Sequence, residues 1–270
     1  MIGIDMSVPM ANRRIIPSAV SLRGSKMSSR NYLFVGIVWV MLLFAQQAEG
    51  VSSQVPDLVY LNRCTGNCPL GVGTDDAVNR KSSILNGSAT APAFAYSDDT
   101  FNQIAACTRA VLAPFNIRVT VFDPGSRPRE EVILTTYSES IGLSSNIGAL
   151  APYSGSREPN TIGFVFASLF NGNVDDACWG AATVVGTLYS LDRVTPCADI
   201  MSFGIGCGEK AFTNIDSTCD GSTWGTPGKC RSGEATQNSF AILSGELGLP
   251  DTLFAQGFEA FEVPHSGPAP

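Results

Sequence analysis

Eight cysteines constrain this chain more than any other feature, because disulfides between distant residues limit how a chain can fold. All eight follow residue 63, at Cys64, Cys68, Cys107, Cys178, Cys197, Cys207, Cys219 and Cys230. An even number in an exported chain predicts disulfides, although the sequence leaves most of the pairing open. We expect a tight local bridge between Cys64 and Cys68. We also expect Cys178 to pair with Cys197, because the two flank one predicted helix.

An apolar run, Tyr32–Ala45, follows a basic segment and precedes the small residues Ala48 and Gly50. A bilayer span needs about 20 apolar residues, so this run is short for a membrane anchor. The order of basic, apolar and small residues is typical of a secretory signal, and we predict cleavage after Gly50. An uncleaved anchor is the alternative, and Met27 is an alternative start to Met1. We expect a secreted, periplasmic or cell-surface protein.

The rest of the chain is predicted to form one domain over residues 51–250, followed by a flexible, proline-containing tail over residues 251–270. Hydrophobic residues make up 44% of the chain and charged residues 15%, which is enough apolar material for a core. Residues 1–50 hold five basic and two acidic side chains, and the other 220 residues hold 12 basic and 22 acidic ones. An acidic domain repels phosphate, which argues against a nucleic-acid partner.

Hydrophobic periodicity and turn residues predict the order strand, helix, three strands, helix, irregular region and helix. A Ser97 cap and a stop before Pro114 bound the first helix, and Gly248 ends the last one. The predicted helices cover 97–113, 177–191 and 236–248, and the predicted strands cover 58–61, 117–122, 131–137 and 161–170. Residues 197–235 are predicted to be rich in loops.

Four segments carry a resemblance to a known family. They are "FNQIAACTRAVLAPFNIRVTVFDPG" at 101–125, "SLDR" at 190–193, "CADIMSF" at 197–203 and "TQNSF" at 236–240. Their order resembles the metzincin clan of zinc metalloproteases over residues 57–248, and in particular secreted bacterial proteins with a metzincin-type core. The resemblance implies an α+β fold with a mixed twisted sheet, two long helices and a loop-rich, disulfide-bonded C-terminal part.

In such an active site, two histidines one helical turn apart and a third after a glycine bind zinc, and a glutamate beside the first histidine is the base. The resemblance places the zinc ligands at Thr183, Thr187 and Arg193, the base at Val184, the glycine at Ser190 and the methionine of the following turn at Met201. Threonine is a poor zinc ligand, arginine repels the metal, and valine exchanges no proton. The chain's one histidine, His265, lies in the tail.

The sequence therefore predicts a secreted, catalytically inactive metalloprotease-like domain with a binding or structural role. We expect no catalytic residue, no metal ion and no other cofactor. The expected partner is an extracellular peptide or protein, with no nucleic acid and no stable membrane span after signal cleavage. Two alternatives stay open: an active extracellular metallopeptidase with an unrecognised ligand set, and an unrelated disulfide-rich binding domain.

Other motifs are weaker. The oxygen-rich segment with Asn173, Asp175 and Asp176 departs from the spacing of an EF-hand calcium loop. Asn86 begins an Asn-Gly-Ser acceptor sequence that matters only where the source organism glycosylates. Metal binding by the cysteines is the rival to disulfides, and their irregular spacing disfavours it.

Overall fold

The computed structural model describes residues 55–202, 207–221 and 227–250. The predicted signal peptide, the predicted tail with His265, and Phe203 at the end of "CADIMSF" lie outside the described residues. Within the described residues, none of the helices has the length and hydropathy needed to cross a membrane.

The described residues form three sheets and three α-helices. The helices are α1 (Asp98–Leu112), α2 (Val174–Leu188) and α3 (Ser239–Leu247). The strands are β1 (Asp57–Asn62), β2 (Cys68–Val72), β3 (Lys81–Ser82), β4 (Ala89–Ala91), β5 (Ile117–Thr120), β6 (Glu130–Thr135), β7 (Ala149–Leu150), β8 (Ile162–Phe166), β9 (Ser217–Asp220), β10 (Pro227–Gly228) and β11 (Thr236–Gln237).

The central sheet has five strands in the order β5–β1–β6–β8–β7. The first four are parallel, and β7 joins the edge in the antiparallel direction. Val132 of β6 lies between Leu61 of β1 and Gly163 of β8, which fixes the register across the middle of the sheet. The predicted mixed sheet with helices and disulfides is confirmed at this level.

Alternating side chains divide the core between the two faces of this sheet. One face packs against α1 and α2 through Val59, Leu61, Val132, Leu134 and Val165. The other face, with Ile133, Ile162, Phe164 and Phe166, packs against the small β3–β2–β4 sheet. The strands are therefore buried on both sides, as their continuous apolar sequences require.

Each helix begins at a polar side chain that accepts a hydrogen bond from the first turn. Ser97 accepts from the amide of Thr100 at 3.0 Å, and Asn173 accepts from the amide of Asp176 at 3.0 Å. Asp175 and Asp176 fill the first turn of α2, where their charge complements the helix dipole. The oxygen-rich segment seen in the sequence is thus the start of α2, three residues earlier than predicted.

Other predicted boundaries also shift. The strand predicted over 161–170 ends at Phe166 and continues as a 3-10 turn, Ala167–Phe170, and α2 ends at Leu188 rather than at residue 191. The short strands β2–β4, β7 and β9–β11 were not predicted. They are two to five residues long, which is too short for a clear hydrophobic period.

All eight cysteines are paired, as Cys64–Cys68, Cys107–Cys178, Cys197–Cys207 and Cys219–Cys230. The predicted Cys64–Cys68 bridge is confirmed, and the predicted Cys178–Cys197 bridge is wrong. Cys178 is fully buried in the core cluster that α1 and α2 share, and there it meets Cys107. The Cys107–Cys178 bridge joins residues 71 positions apart and fastens the two long helices together.

We expect the Cys107–Cys178 bridge to stabilise the domain more than the Cys64–Cys68 bridge, because it closes a much longer loop in the unfolded chain. Replacing both Cys107 and Cys178 by alanine should lower the free energy of unfolding by about 2–4 kcal/mol. The matched double variant Cys64→Ala with Cys68→Ala should lower the free energy of unfolding by about 2 kcal/mol less than the Cys107 and Cys178 variant does. Urea titration followed by circular dichroism measures both. Equal losses, or free thiols in the denatured, non-reduced natural chain, would contradict the assignment.

Candidate functional site

Thr183 and Thr187, which the resemblance predicts at two of the zinc-ligand positions, lie one turn apart on α2, and both hydroxyls bind main-chain oxygens. The Thr183 hydroxyl donates to the carbonyl of Ile200 at 2.8 Å, and the Thr187 hydroxyl donates to the carbonyl of Thr183 at 2.9 Å. Arg193 is half-buried, and its carbonyl accepts from the amide of Asp220 at 2.8 Å. The Thr183 hydroxyl thus ties α2 to the segment at Ile200, whereas the Thr187 hydroxyl bonds within the helix itself.

Val184, to which the resemblance assigns the place of the catalytic base, is part of the core. Its side chain is 1% exposed and packs against the backbone of β8 at Gly163. A side chain at Gly163 would collide with the Val184 methyl group, so helix and strand approach closely at this point. An apolar contact of this kind has no room for the water that a carboxylate base would activate.

Ser190 follows the end of α2 with a left-handed backbone, at φ 64°. The amide of Leu191 turns back to the carbonyl of Gly186 at 2.9 Å, which closes the end of the helix. A left-handed residue in this position is most often glycine, because other L-residues bring Cβ too close to the following carbonyl. Glycine is also the residue that the resemblance assigns to this position.

The turn over residues 197–202, which contains Met201 and is called the methionine turn below, packs against α2. Met201 is fully buried, and a Cβ placed on Gly186 would lie 2.6 Å from its sulfur, so the thioether fills the space that the glycine leaves. The carboxylate of Asp199 holds the turn together. It accepts from the amide of Met201 at 2.8 Å, the hydroxyl of Ser239 at 3.2 Å, and the amide and hydroxyl of Thr213 at 3.1 and 2.6 Å.

Three consecutive carbonyls of this turn accept hydrogen bonds from three different parts of the chain. The donors and acceptors are the Thr183 hydroxyl with Ile200, the Val194 amide with Met201, and the Lys210 ammonium with Ser202. Donors from other segments therefore bind the carbonyls of the turn, and the Asp199 carboxylate accepts from the amide of Met201.

Lys210 brings a positive charge next to α2. Its ammonium lies 5.7 Å from the ring centre of Trp179, which precedes Thr183 by one helical turn. Burial lowers the pKa of Lys210 from its usual value, while the nearby carboxylates of Asp176 and Asp199 oppose that shift.

The segments "SLDR" (190–193) and "TQNSF" (236–240) are hydrogen-bonded to each other. The side-chain amide of Gln237 binds both main-chain groups of Asp192: it accepts from the amide at 2.7 Å and donates to the carbonyl at 2.9 Å. The Asp192 carboxylate pairs with Arg231 at 2.9 Å, and the Arg231 guanidinium lies 4.0 Å from the ring centre of Tyr153. Burial, and then the Asp192 charge, raise the pKa of Tyr153 to about 12.

The sequence did not reveal this role of Gln237 and Asp192, since a side-chain amide that pairs with a distant backbone has no local signature. Their neighbours Asn238 and Ser239 also have structural partners. The Asn238 side chain caps α3 by accepting from the amide of Ala241 at 2.9 Å, and Ser239 donates to Asp199.

One cluster in the described residues, Asp192 with Cys219 and Cys230, has the spacing of a metal site. Its chemistry does not fit a metal ion. Cys219 and Cys230 form a disulfide, so neither sulfur is a thiolate, and the Asp192 carboxylate is paired with Arg231.

A separate, partly buried cluster lies at the amino ends of β1 and β6, in which Glu130 is buried and Asp57 and Arg157 are partly exposed. Arg157 pairs with Asp57 at 2.8 Å and with Glu130 at 3.5 Å, and the hydroxyl of Tyr189 donates to Asp57 at 2.9 Å. Burial raises the pKa of Glu130 to about 7, although Arg157 opposes that shift. This cluster anchors the last residues of α2 to the sheet.

A groove of about 680 Å³ lies elsewhere, on the β3–β2–β4 sheet. Its lining comprises Pro69, Leu70, Gly71, Asn79, Arg80, Ser88, Ala89, Thr90 and Ser140, and includes none of the positions on α2 or the methionine turn. This lining contains no acidic side chain, histidine or cysteine, and its polar side chains are Asn79, Arg80, Ser88, Thr90 and Ser140.

No protein-family model matches this chain, and no curated protein matches it in sequence.

Replacing Ser190 by glycine should stabilise the protein by about 0.5–1 kcal/mol. Glycine has no Cβ and therefore relieves the strain of the left-handed backbone. Part of this gain is lost because glycine gives the unfolded chain more conformational freedom. Thermal unfolding measures the change. The matched variant Thr187→Gly, in the regular last turn of α2, should instead lose about 1 kcal/mol. A destabilised Ser190→Gly protein would show that the hydroxyl, rather than the backbone, determines this position.

The contribution of Glu130 to the free energy of unfolding should fall as the pH rises. Its pKa is raised from 4.5 to about 7 in the folded protein, so the folded state holds the proton more tightly than the unfolded state. Its contribution is therefore largest below pH 4.5 and is lost as the pH rises through about 7. Glu130→Gln should flatten the stability profile over this range, whereas the exposed control Glu246→Gln should not. Parallel profiles for natural chain and Glu130→Gln would contradict the raised pKa.

Proposed function

We propose that this chain is a secreted metalloprotease-like domain without a catalytic zinc centre, which acts by binding an extracellular peptide or protein. The observation that carries the proposal is the backbone at Ser190. It is left-handed at the one position where the resemblance demands a glycine, and Met201 packs beneath the same helix at Gly186. These features support the register that aligns residues 183–193 with a protease zinc helix.

The side chains in that register favour a structural use of the helix over catalysis. The hydroxyls of Thr183 and Thr187 donate to main-chain carbonyls, and Val184 packs against β8. Arg193 places a permanent positive charge at the third ligand position, where it repels a metal ion. Three good donors are the minimum for a catalytic zinc site, and this set contains none.

The edge of the central sheet supports a binding role. β7 is an edge strand, and it pairs with β8 on one side only among the described residues. Ala149 of β7 lies beside α2, with its Cβ 3.6 Å from a Cβ placed on Gly180, one turn before Thr183. An extended peptide that adds to the edge of β7 would run past the α2 face that carries Thr183 and Thr187, and main-chain hydrogen bonds would hold it.

Zinc analysis of the natural chain is the direct test. After equilibrium dialysis against zinc and removal of loosely bound metal, the purified secreted protein should hold no stoichiometric zinc. It should also release no fragments from an unstructured protein substrate. One equivalent of zinc together with cleavage that a chelator stops would refute the proposal and favour an active metallopeptidase with another ligand set.

Restoring the missing groups tests the register itself. The combined variant Thr183→His, Val184→Glu, Thr187→His, Ser190→Gly and Arg193→His should gain tight zinc binding of one equivalent if the helix is aligned correctly. The matched control keeps Thr183 and Thr187 and carries the other three changes, so it supplies one histidine only and should bind weakly. A restored variant that folds by circular dichroism but binds no zinc would favour the unrelated disulfide-rich domain.

A further inference from the structure

The chain contains two asparagine–glycine pairs, Asn86–Gly87 and Asn171–Gly172. Asparagine before glycine is chemically vulnerable, because the next main-chain nitrogen can attack the side-chain amide and glycine has no Cβ to hinder the approach. The attack needs a mobile backbone and a glycine nitrogen that is not held in a hydrogen bond. The two pairs differ in both respects.

Asn86 and Gly87 lie on the exposed turn between β3 and β4, and Asn86, Gly87 and Ser88 are all solvent-exposed. No hydrogen bond to another described residue engages the Asn86 side chain or the Gly87 amide. A Cβ placed on Gly87 would meet nothing within 4 Å, so the space around the turn is open. This backbone can therefore rotate into a reactive geometry at little cost.

Asn171 and Gly172 are held in place after β8. The amide of Gly172 donates to the carbonyl of Ala167 at 3.3 Å, and the amide of Asn171 donates to the carbonyl of Ser168 at 3.2 Å. The ring of Tyr96 packs directly on Gly172. The Gly172 nitrogen has to break its hydrogen bond, and the backbone has to leave this packed arrangement, before it can attack Asn171.

We propose that Asn86 is a site of spontaneous deamidation in the folded protein and that the fold protects Asn171. The Gly87 nitrogen loses its proton to hydroxide or a buffer base and attacks Cγ of Asn86. The new N–Cγ bond forms as the Cγ–Nδ2 bond breaks, and the departing nitrogen takes a proton from the protonated base or from water and leaves as ammonia. Water then opens the five-membered imide to aspartate or isoaspartate. The net change is one water consumed and one ammonia released, with no oxidation or reduction.

The product changes the surface next to β4. Aspartate adds a negative charge two residues before Ser88 and four residues before Thr90, and both of these residues line the groove on this sheet. Isoaspartate also adds one carbon to the main chain three residues before the β4–β2 pairing that begins at Ala89. Either product removes the Asn-Gly-Ser acceptor sequence.

Timed incubation of the folded, disulfide-bonded chain at pH 8.5 tests the proposal, with protein made in a bacterial periplasm to exclude N-linked sugar. Peptide mapping by mass spectrometry follows both pairs through the gain of one mass unit and the isoaspartate isomer. Asn86 should react at least about tenfold faster than Asn171, which corresponds to only about 1.4 kcal/mol of additional local opening at the protected site.

Two controls keep the comparison sharp. Gly87→Ala should fold normally, since Gly87 has an ordinary φ and open space around it, and should strongly slow the reaction at Asn86. In the reduced, denatured chain, the two pairs should react at similar rates. Similar rates in the folded chain, faster reaction at Asn171, or no effect of Gly87→Ala would overturn the proposal.

Discussion

The carboxylate of Asp199 is the interaction on which the second half of the domain depends. A fully buried carboxylate is costly unless donors surround it, and here both oxygens accept two hydrogen bonds each. The donors come from the methionine turn itself, from Thr213 and from the first residue of α3. One side chain therefore sets the positions of three segments that are distant in sequence and contain little regular structure.

Glycines then determine how closely α2 approaches its neighbours. Because a glycine has no Cβ, Val184 can pack directly against Gly163 of β8, Met201 against Gly186 of α2, and the ring of Phe170 against Gly180 of α2. The helix is consequently packed on several sides, and its polar side chains turn to nearby main-chain carbonyls. In this setting Thr183 is well placed, because its hydroxyl donates to the Ile200 carbonyl and so joins the helix directly to the turn.

The sequence predicted the long elements because their signals are local. The Ser97 cap and the apolar spacing of α1, and the continuous apolar residues of β6 and β8, specify their structure without knowledge of the rest of the fold. The Cys178 pairing was missed because it depends on which face of α2 meets α1, and sequence spacing does not determine that. The resemblance singled out residues of α2 and of the turn that contains Met201 as a prediction, whereas their hydrogen-bond partners, such as Ile200 for Thr183 and Gln237 for Asp192, follow only from tertiary contacts.

The contacts of Gln237 and Ser239 have a consequence for how the chain is made. Gln237 binds the main-chain amide and carbonyl of Asp192, which lies 45 residues earlier, and the Ser239 hydroxyl donates to the side-chain carboxylate of Asp199, which lies 40 residues earlier. Until α3 has emerged and docked, the methionine turn lacks part of its support. A growing chain can form α1, the central sheet and much of α2 in order, but its second half closes only after nearly all of the domain is present.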